Sequence, residues 1–256
     1  MSASPILSVS SLSKSYGAIQ AVRDVSFAVE THEVCGLIGP NGSGKSTLFD
    51  CITGLQTPNG GAVALSGQDI TGWSMNRIAH EGAMLRSFQR TVVFNSVDPV
   101  ENLVIAGQMF RFPTLASTFW IGPAARRRIA ALRERARELV DRVGLSHVAH
   151  LPAGTLSFGQ QKLLQFASML MPSPKLILLD EPLAGINPKL IERVVDIILK
   201  ANAELGITFL VIEHNMDVMM SLCRRIIVMD QGAKLAEGPP TEIVRDKRVV
   251  EAYLGG

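Results

Sequence analysis

Apolar residues fall in short runs separated by longer stretches with helical spacing. The strand-sized runs cover residues 7–10, 25–30, 34–38, 62–66, 176–179, 208–212 and 226–229. Helical spacing covers 45–53, 126–143, 159–171, 188–205 and 216–223. Strands that alternate with helices predict a largely parallel sheet covered on both faces. The early strands follow one another more closely, through turns such as Asn59-Gly60-Gly61, and predict an antiparallel piece beside that core. Residues from about 90 to 156 carry helical pattern and few strand signals. The expected fold is therefore α/β, one domain over 1–256 with an inserted helical subdomain near 90–156.

Composition narrows the setting. The chain has 256 residues, 47% of them hydrophobic, and a mean hydropathy of +0.24. No run reaches the roughly 18 uncharged apolar residues of a membrane span. The first residues, MSASPILSVS, lack the basic start and apolar stretch of a signal peptide, so a cytosolic protein is expected. The apolar excess then belongs to a buried sheet or to contacts with protein partners. Cys35, Cys51 and Cys223 are few and widely spaced, which fits small core residues and not a disulfide or zinc framework. Net charge is +2, so the chain as a whole is no polyanion binder. Arginines cluster at 126–142, but Ile129, Leu132, Leu139, Val140 and Val143 give that stretch an apolar stripe. No aromatic residues interleave with the arginines, as single-strand stacking requires. A solvated helix face is expected there, and no nucleic acid.

Candidate chemistry begins at Gly39-Pro40-Asn41-Gly42-Ser43-Gly44-Lys45-Ser46-Thr47, which matches G-x-x-x-x-G-K-[ST] between an apolar strand and a helix. Gly39, Gly42 and Gly44 let the backbone turn N–H groups, Asn41's among them, around a phosphate, and the helix start adds its dipole. Lys45 supplies a cation to the β- and γ-phosphates, Ser46 a hydroxyl to Mg²⁺ and Thr47 a hydrogen bond to the α-phosphate. A second cluster, Leu176 to Leu179 followed by Asp180 and Glu181, ends an apolar strand in two acids. Ligands of open α/β sheets bind at the carboxyl ends of the strands. Asp180 is expected on Mg²⁺, through water, and Glu181 on the attacking water. ATP and Mg²⁺ are the cofactors implied.

Between these clusters stands Leu156-Ser157-Phe158-Gly159-Gln160, which resembles the ABC signature LSGGQ with Phe158 in place of the first glycine. Tyr16 before the first core strand, Gln89 in Ser87-Phe88-Gln89, Ala184-Gly185-Ile186-Asn187-Pro188 after the acids, and His214 after the strand 208–212 follow in that family's order. The chain thus resembles an ABC ATPase over residues 6–254. The resemblance implies that Tyr16 stacks on adenine with Val22 in the same pocket. Gln89 touches metal or attacking water, and His214 reaches the γ-phosphate. Ser157, Gly159 and Gln160 would meet the ATP of a second subunit. Asn187 stands where the family usually has aspartate, which weakens any role for a carboxylate there.

A narrower resemblance rests on LSFGQQK at 156–162, AGINP at 184–188, VIEHNMD at 211–217, and the terminal Ala236-Glu237-Gly238-Pro239-Pro240 and Glu251-Ala252-Tyr253-Leu254-Gly255. These look like the ATP-binding proteins of branched-chain amino-acid uptake systems. The implied partners are a second ABC ATPase, sister or self, in a head-to-tail dimer, two transmembrane permeases and an external solute-binding protein. The implied location is the cytoplasmic face of the plasma membrane. The segment 100–112 after Gln89 would pass motion to a permease, with Val92, Val93 and Phe94 either docking or packing in the core. Alternatives are an exporter ATPase of the lipid or lipopolysaccharide type, a non-transport ABC ATPase, and a small-molecule kinase sharing the phosphate loop.

Overall fold

A computed structural model describes residues 5–87, 93–111 and 123–254 of the chain. Two compact units emerge: one formed by 1–89, 175–185 and 198–256, the other by 90–174 and 186–197. The first holds every strand.

Its larger sheet has six strands in the order β10-β9-β3-β8-β7-β6. These are β3 (Val34–Ile38), β6 (Met84–Arg86), β7 (Leu176–Asp180), β8 (Thr208–Ile212), β9 (Arg225–Asp230) and β10 (Ala233–Gly238). All the pairings are parallel except β9 with β10. Every residue of β3, β7 and β8 is buried, which is why these strands read as unbroken apolar runs. The smaller, antiparallel sheet has the order β2-β1-β4-β5, from β1 (Pro5–Tyr16), β2 (Ile19–Glu30), β4 (Gly60–Leu65) and β5 (Gln68–Asp69). β1 and β2 run well beyond the predicted 7–10 and 25–30, because their outer halves are exposed and carry polar residues. A cluster including Leu7, Val25, Val29, Leu37 and Leu210 packs around α1 (Lys45–Ile52), which contributes Leu48, Phe49 and Ile52. Cys35, Cys51 and Cys223 are free and buried, as expected. Val22 joins the same core at 1% exposure.

The second unit is helical. It contains α3 (Pro99–Arg111), α4 (Pro123–Arg142) and α5 (Phe158–Leu170), whereas α2 (Met75–Gly82) lies in the first. α4 buries Leu132, Ala136, Leu139 and Val140. Its arginine face is only partly solvated. Arg133 pairs with Glu101. Arg135 donates to the carbonyls of Leu170 (2.9 Å) and Met171 (3.1 Å), stapling the end of α5 where unpaired carbonyls gather. Buried Asn102 accepts from Phe94 N (2.7 Å) and donates to Phe94 O (3.1 Å), fixing a loop whose Phe94 side chain stands exposed and outside the core. Gln89 and Val92 lie outside the described residues, as does Gly255.

Candidate nucleotide site

The loop between β3 and α1 is pinned from two sides. Gly232 N donates to Ser43 O (3.0 Å), and Arg23 N donates to Gly232 O (2.7 Å). Gly44 forms the helix start with φ 96° and no side-chain cap. A Cβ at Gly44 would lie 2.2 Å from Ala21 O. The backbone thus passes too close to its neighbour for any side chain, and the first N–H groups of α1 keep no internal partner. Lys45 Nζ donates to Gly39 O (2.8 Å), Pro40 O (2.9 Å) and Ser43 Oγ (3.3 Å). Burial holds its pKa below the ordinary lysine value, opposed by Glu181 and Asp180.

A cavity of about 760 Å³ opens over this loop within the first unit, and Asn41, Gly42, Gly44, Lys45, Ser46 and Thr47 form its floor. Glu181 and His214 stand on its wall. His214 Nε2 meets Glu181 Oε1 at 2.9 Å. Glu181 has φ 49°, a left-handed backbone rare for a side chain of its size, which aims the carboxylate off the line of β7. The other walls come from the turn between β1 and β2, with Ser15, Gly17, Ile19 and Arg23, and from Gln231. Tyr16 is 45% exposed on that turn, with Lys14 Nζ 5.2 Å from its ring centroid. Neither residue expected around adenine lines the cavity: Tyr16 stands exposed on the turn between the lining residues Ser15 and Gly17, and Val22 is buried in the core.

Asp180 is buried at the end of β7. Its Oδ2 accepts from Arg86 Nη2 (2.7 Å) and its N–H donates to Ser87 Oγ (2.9 Å), while Oδ1 is buried without a partner. Such an oxygen suits a hydrated cation. Among the described residues no group of three or more His, Cys, Asp or Glu could hold a metal by itself. A cation here would need Ser46, Asp180 and oxygens brought by a ligand, a donor set that suits magnesium with a nucleotide.

In the helical unit, Ser157 and Gln160 form a reciprocal cap at the start of α5. Ser157 Oγ accepts from Gln160 N (3.3 Å) and Gln160 Oε1 accepts from Ser157 N (2.9 Å). Gly159 sits inside that first turn, where a Cβ would lie 2.6 Å from Leu190 Cδ2. Phe158 is exposed, with Lys162 Nζ 5.5 Å from its ring. Asn187 caps α6 (Pro188–Leu205) by accepting from Leu190 N (3.0 Å), with proline at the first helical position. Asparagine fills that structural duty as well as aspartate does.

Four residues near the site escaped the reading of the sequence. Arg86 is a single charge at the end of an apolar stretch, with nothing local to mark a partner, and Arg23 stands beside Asp24 as an unremarkable pair of charges. Glu213 is buried and accepts from Leu183 N (2.8 Å) and His214 N (3.2 Å), and burial pushes its carboxyl up. The signal available for it was an acid directly beside His214. Burial also pushes the Tyr253 phenol up, opposed by a hydrogen bond from the backbone of Gly39.

Comparison with known proteins adds a lineage to this geometry. A family model described as ABC transporter matches residues 22–184. Another, described as branched-chain amino acid ATP-binding cassette transporter, matches residues 233–256. The chain is 39% identical to the high-affinity branched-chain amino acid transport ATP-binding protein BraF of Pseudomonas aeruginosa, over 98% of each chain. It is 36% identical to LivG of Escherichia coli, which carries the same description, again over 98% of each. A solved ATP-binding cassette of an ABC transporter, in its ADP conformation, superposes with a TM-score of 0.84 at 34% identity, covering 99% of this chain and all of that one.

Proposed function

The chain belongs to the ABC transporter family of ATP-binding proteins, and from that premise we propose that it is the ATP-hydrolysing subunit of an importer for branched-chain amino acids. The observation that carries the chemistry is the single cavity in which the phosphate loop faces Glu181 and His214. The whole-length identity to BraF and LivG, together with the matched tail at 233–256, favours import and this cargo over export.

ATP binds with its phosphates on the backbone N–H groups of residues 39–47 and on Lys45, and its base against the turn that carries Tyr16. Ile19 and Arg23 add contacts that the cavity lining supports. Ser46 and Asp180, joined by Gln89 if it follows the family pattern, would hold Mg²⁺, which when bound neutralises the charge of the β- and γ-phosphates. Glu181 orients the attacking water and takes its proton, and His214, bonded to Glu181, holds that carboxylate at the cavity wall. Ser157 and the start of α5 serve the nucleotide of a second ABC ATPase, sister or self, so that two subunits close around each ATP. The helical insertion, roughly 90–156, presents exposed Phe94 to a permease. No described helix is long and apolar enough to cross a membrane. The proposed place is accordingly the cytoplasmic face of the membrane, held there by two permeases and served by an external binding protein.

The test is reconstitution in liposomes of the chain with the permeases, the second ATPase and the binding protein that copurify with it. ATP hydrolysis stimulated by leucine, isoleucine or valine, with uptake of the same amino acid, is the expected result. Uptake that ignores all three while another solute stimulates turnover would discard the cargo, and hydrolysis without any transport would discard the importer.

A further inference from the structure

Arg86 sits where three parts of the nucleotide site meet. It ends β6, paired with Leu178 of β7 two residues before Asp180. Its side chain is 9% exposed. One nitrogen, Nη2, holds Asp180 Oδ2 at 2.7 Å, and the other, Nη1, holds Asp50 Oδ1 on α1, the helix that follows the phosphate loop. The ring of Phe49 lies 5.7 Å from the guanidinium carbon. The neighbouring Ser87 donates its N–H to Leu178 O (2.8 Å) and accepts from Asp180 N (2.9 Å).

One arginine is shared between two largely buried carboxylates, and Lys45 is close enough to Asp180 to feel its charge. The two oxygens of Asp180 are unevenly satisfied: Asp180 Oδ2 is occupied and Asp180 Oδ1 has no partner. We propose that Arg86 is the positioning residue of the metal site: its two-pronged guanidinium ties Asp180 to the phosphate-loop helix and fixes which carboxylate oxygen faces Mg²⁺. Lysine cannot replace this arrangement, since one ammonium on a flexible stem does not hold two carboxylates in a fixed plane. Arg86 and Ser87 thus both bond to Asp180. This inference rests on the reading of Asp180 as a magnesium residue.

The experiment separates the two. Binding of a fluorescent ATP analogue to the full chain is titrated with Mg²⁺ and, separately, measured in EDTA. Asp180→Asn should raise the Mg²⁺ midpoint at least fivefold. If it does not, the metal reading of Asp180 fails whatever Arg86 does. Arg86→Met should raise the midpoint at least fivefold while nucleotide affinity in EDTA stays within twofold of wild type. Arg86→Lys, which retains the charge and serves as the folding control, should fall between. Asp50→Ala, which removes only the far anchor, should shift the midpoint in the same direction as Arg86→Met but by less. An unchanged midpoint in a folded Arg86→Lys or Arg86→Met overturns the proposal. So does a parallel loss of affinity in EDTA, which marks a merely structural residue. A lower midpoint overturns it too, because Arg86 would then compete with the ion and not position its ligand.

Discussion

Replacing Glu181 separates catalysis from stability in opposite directions. Glutamine keeps the shape of the side chain and can still bond to His214, now 2.9 Å from Oε1, but it cannot take a proton from water. General-base loss costs about 10²–10⁴ in rate, or about 3–5 kcal/mol of barrier. The folded state should scarcely notice. The side chains of His214 and Glu181 are 41% and 34% exposed, and exposed pairs are worth no more than about 1 kcal/mol. Glycine is the informative contrast. Glu181 holds φ 49°, and a left-handed backbone costs a residue with a Cβ about 1–2 kcal/mol. Glycine removes that strain but adds about 0.5–1 kcal/mol of conformational entropy to the cost of folding.

Relative to alanine, which loses the same bond to His214, the net gain of about 0–1.5 kcal/mol corresponds to a melting temperature higher by up to about 6 °C at this chain length. The glutamine and glycine variants should hydrolyse ATP at least about 100-fold more slowly than wild type. Glu181→Gln should melt within about 3 °C of wild type, and Glu181→Gly above Glu181→Ala, which also lacks the bond to His214 but keeps the Cβ. The assays are steady-state phosphate release and differential scanning calorimetry on the nucleotide-free chain. Hydrolysis by Glu181→Gln within threefold of wild type would remove the carboxylate from its role as base. A glycine variant that melts below the alanine variant would show that the left-handed turn carries no strain, and that the fold gives nothing up to aim this side chain.

Two further substitutions probe the phosphate-binding surfaces. Gly44→Ala places a Cβ 2.2 Å from Ala21 O at φ 96°, so binding of a fluorescent ATP analogue should fall by more than about tenfold, since the loop must move off its phosphate geometry; unchanged binding in a folded variant contradicts the cradle. Ser157→Asp retains an acceptor for the cap but brings a negative charge where a phosphate is expected, whereas Ser157→Ala loses a cap worth about 1 kcal/mol. The aspartate should melt near wild type and fail to form an ATP-induced dimer in size-exclusion chromatography, and an aspartate variant that still dimerises refutes contact in trans.

The elements legible in advance are those with one dominant constraint. β3, β8 and α6 match residues 34–38, 208–212 and 188–205 end for end. The two strands are buried on both faces, and α6 begins at a proline after an asparagine cap, so apolar run and boundary coincide. β6 and β10 were not legible. β6 has three residues, and β10 lies at the sheet edge with no residue fully buried, so no apolar pattern marks it. α2 buries only Ile78, and its start is set by Ser74 accepting from Arg77 N. The phosphate loop and the two acids announced themselves because their chemistry depends on local spacing. Arg86 did not, because its partners lie 36 and 94 residues away in sequence and nothing beside it betrays them.

The two helix starts that read alike as anion sites differ in what they leave unsatisfied. α1 begins at Gly44 with no side-chain cap, so its first N–H groups are open to a ligand and a phosphate is their natural acceptor. α5 begins with Ser157 and Gln160 already satisfying one N–H each. A phosphate arriving there finds fewer free donors. What remains are the N–H groups of Phe158 and Gly159 and the hydrogen of the Ser157 hydroxyl, since that oxygen can accept from Gln160 N and donate outward at the same time. The first start therefore offers an anion more free backbone donors than the second, and each adds a dipole. Strong attachment to one chain with weaker attachment to another is what a reversible pair requires. On the proposed reading, the weaker contact breaks when the γ-phosphate leaves, while the diphosphate stays on its own loop.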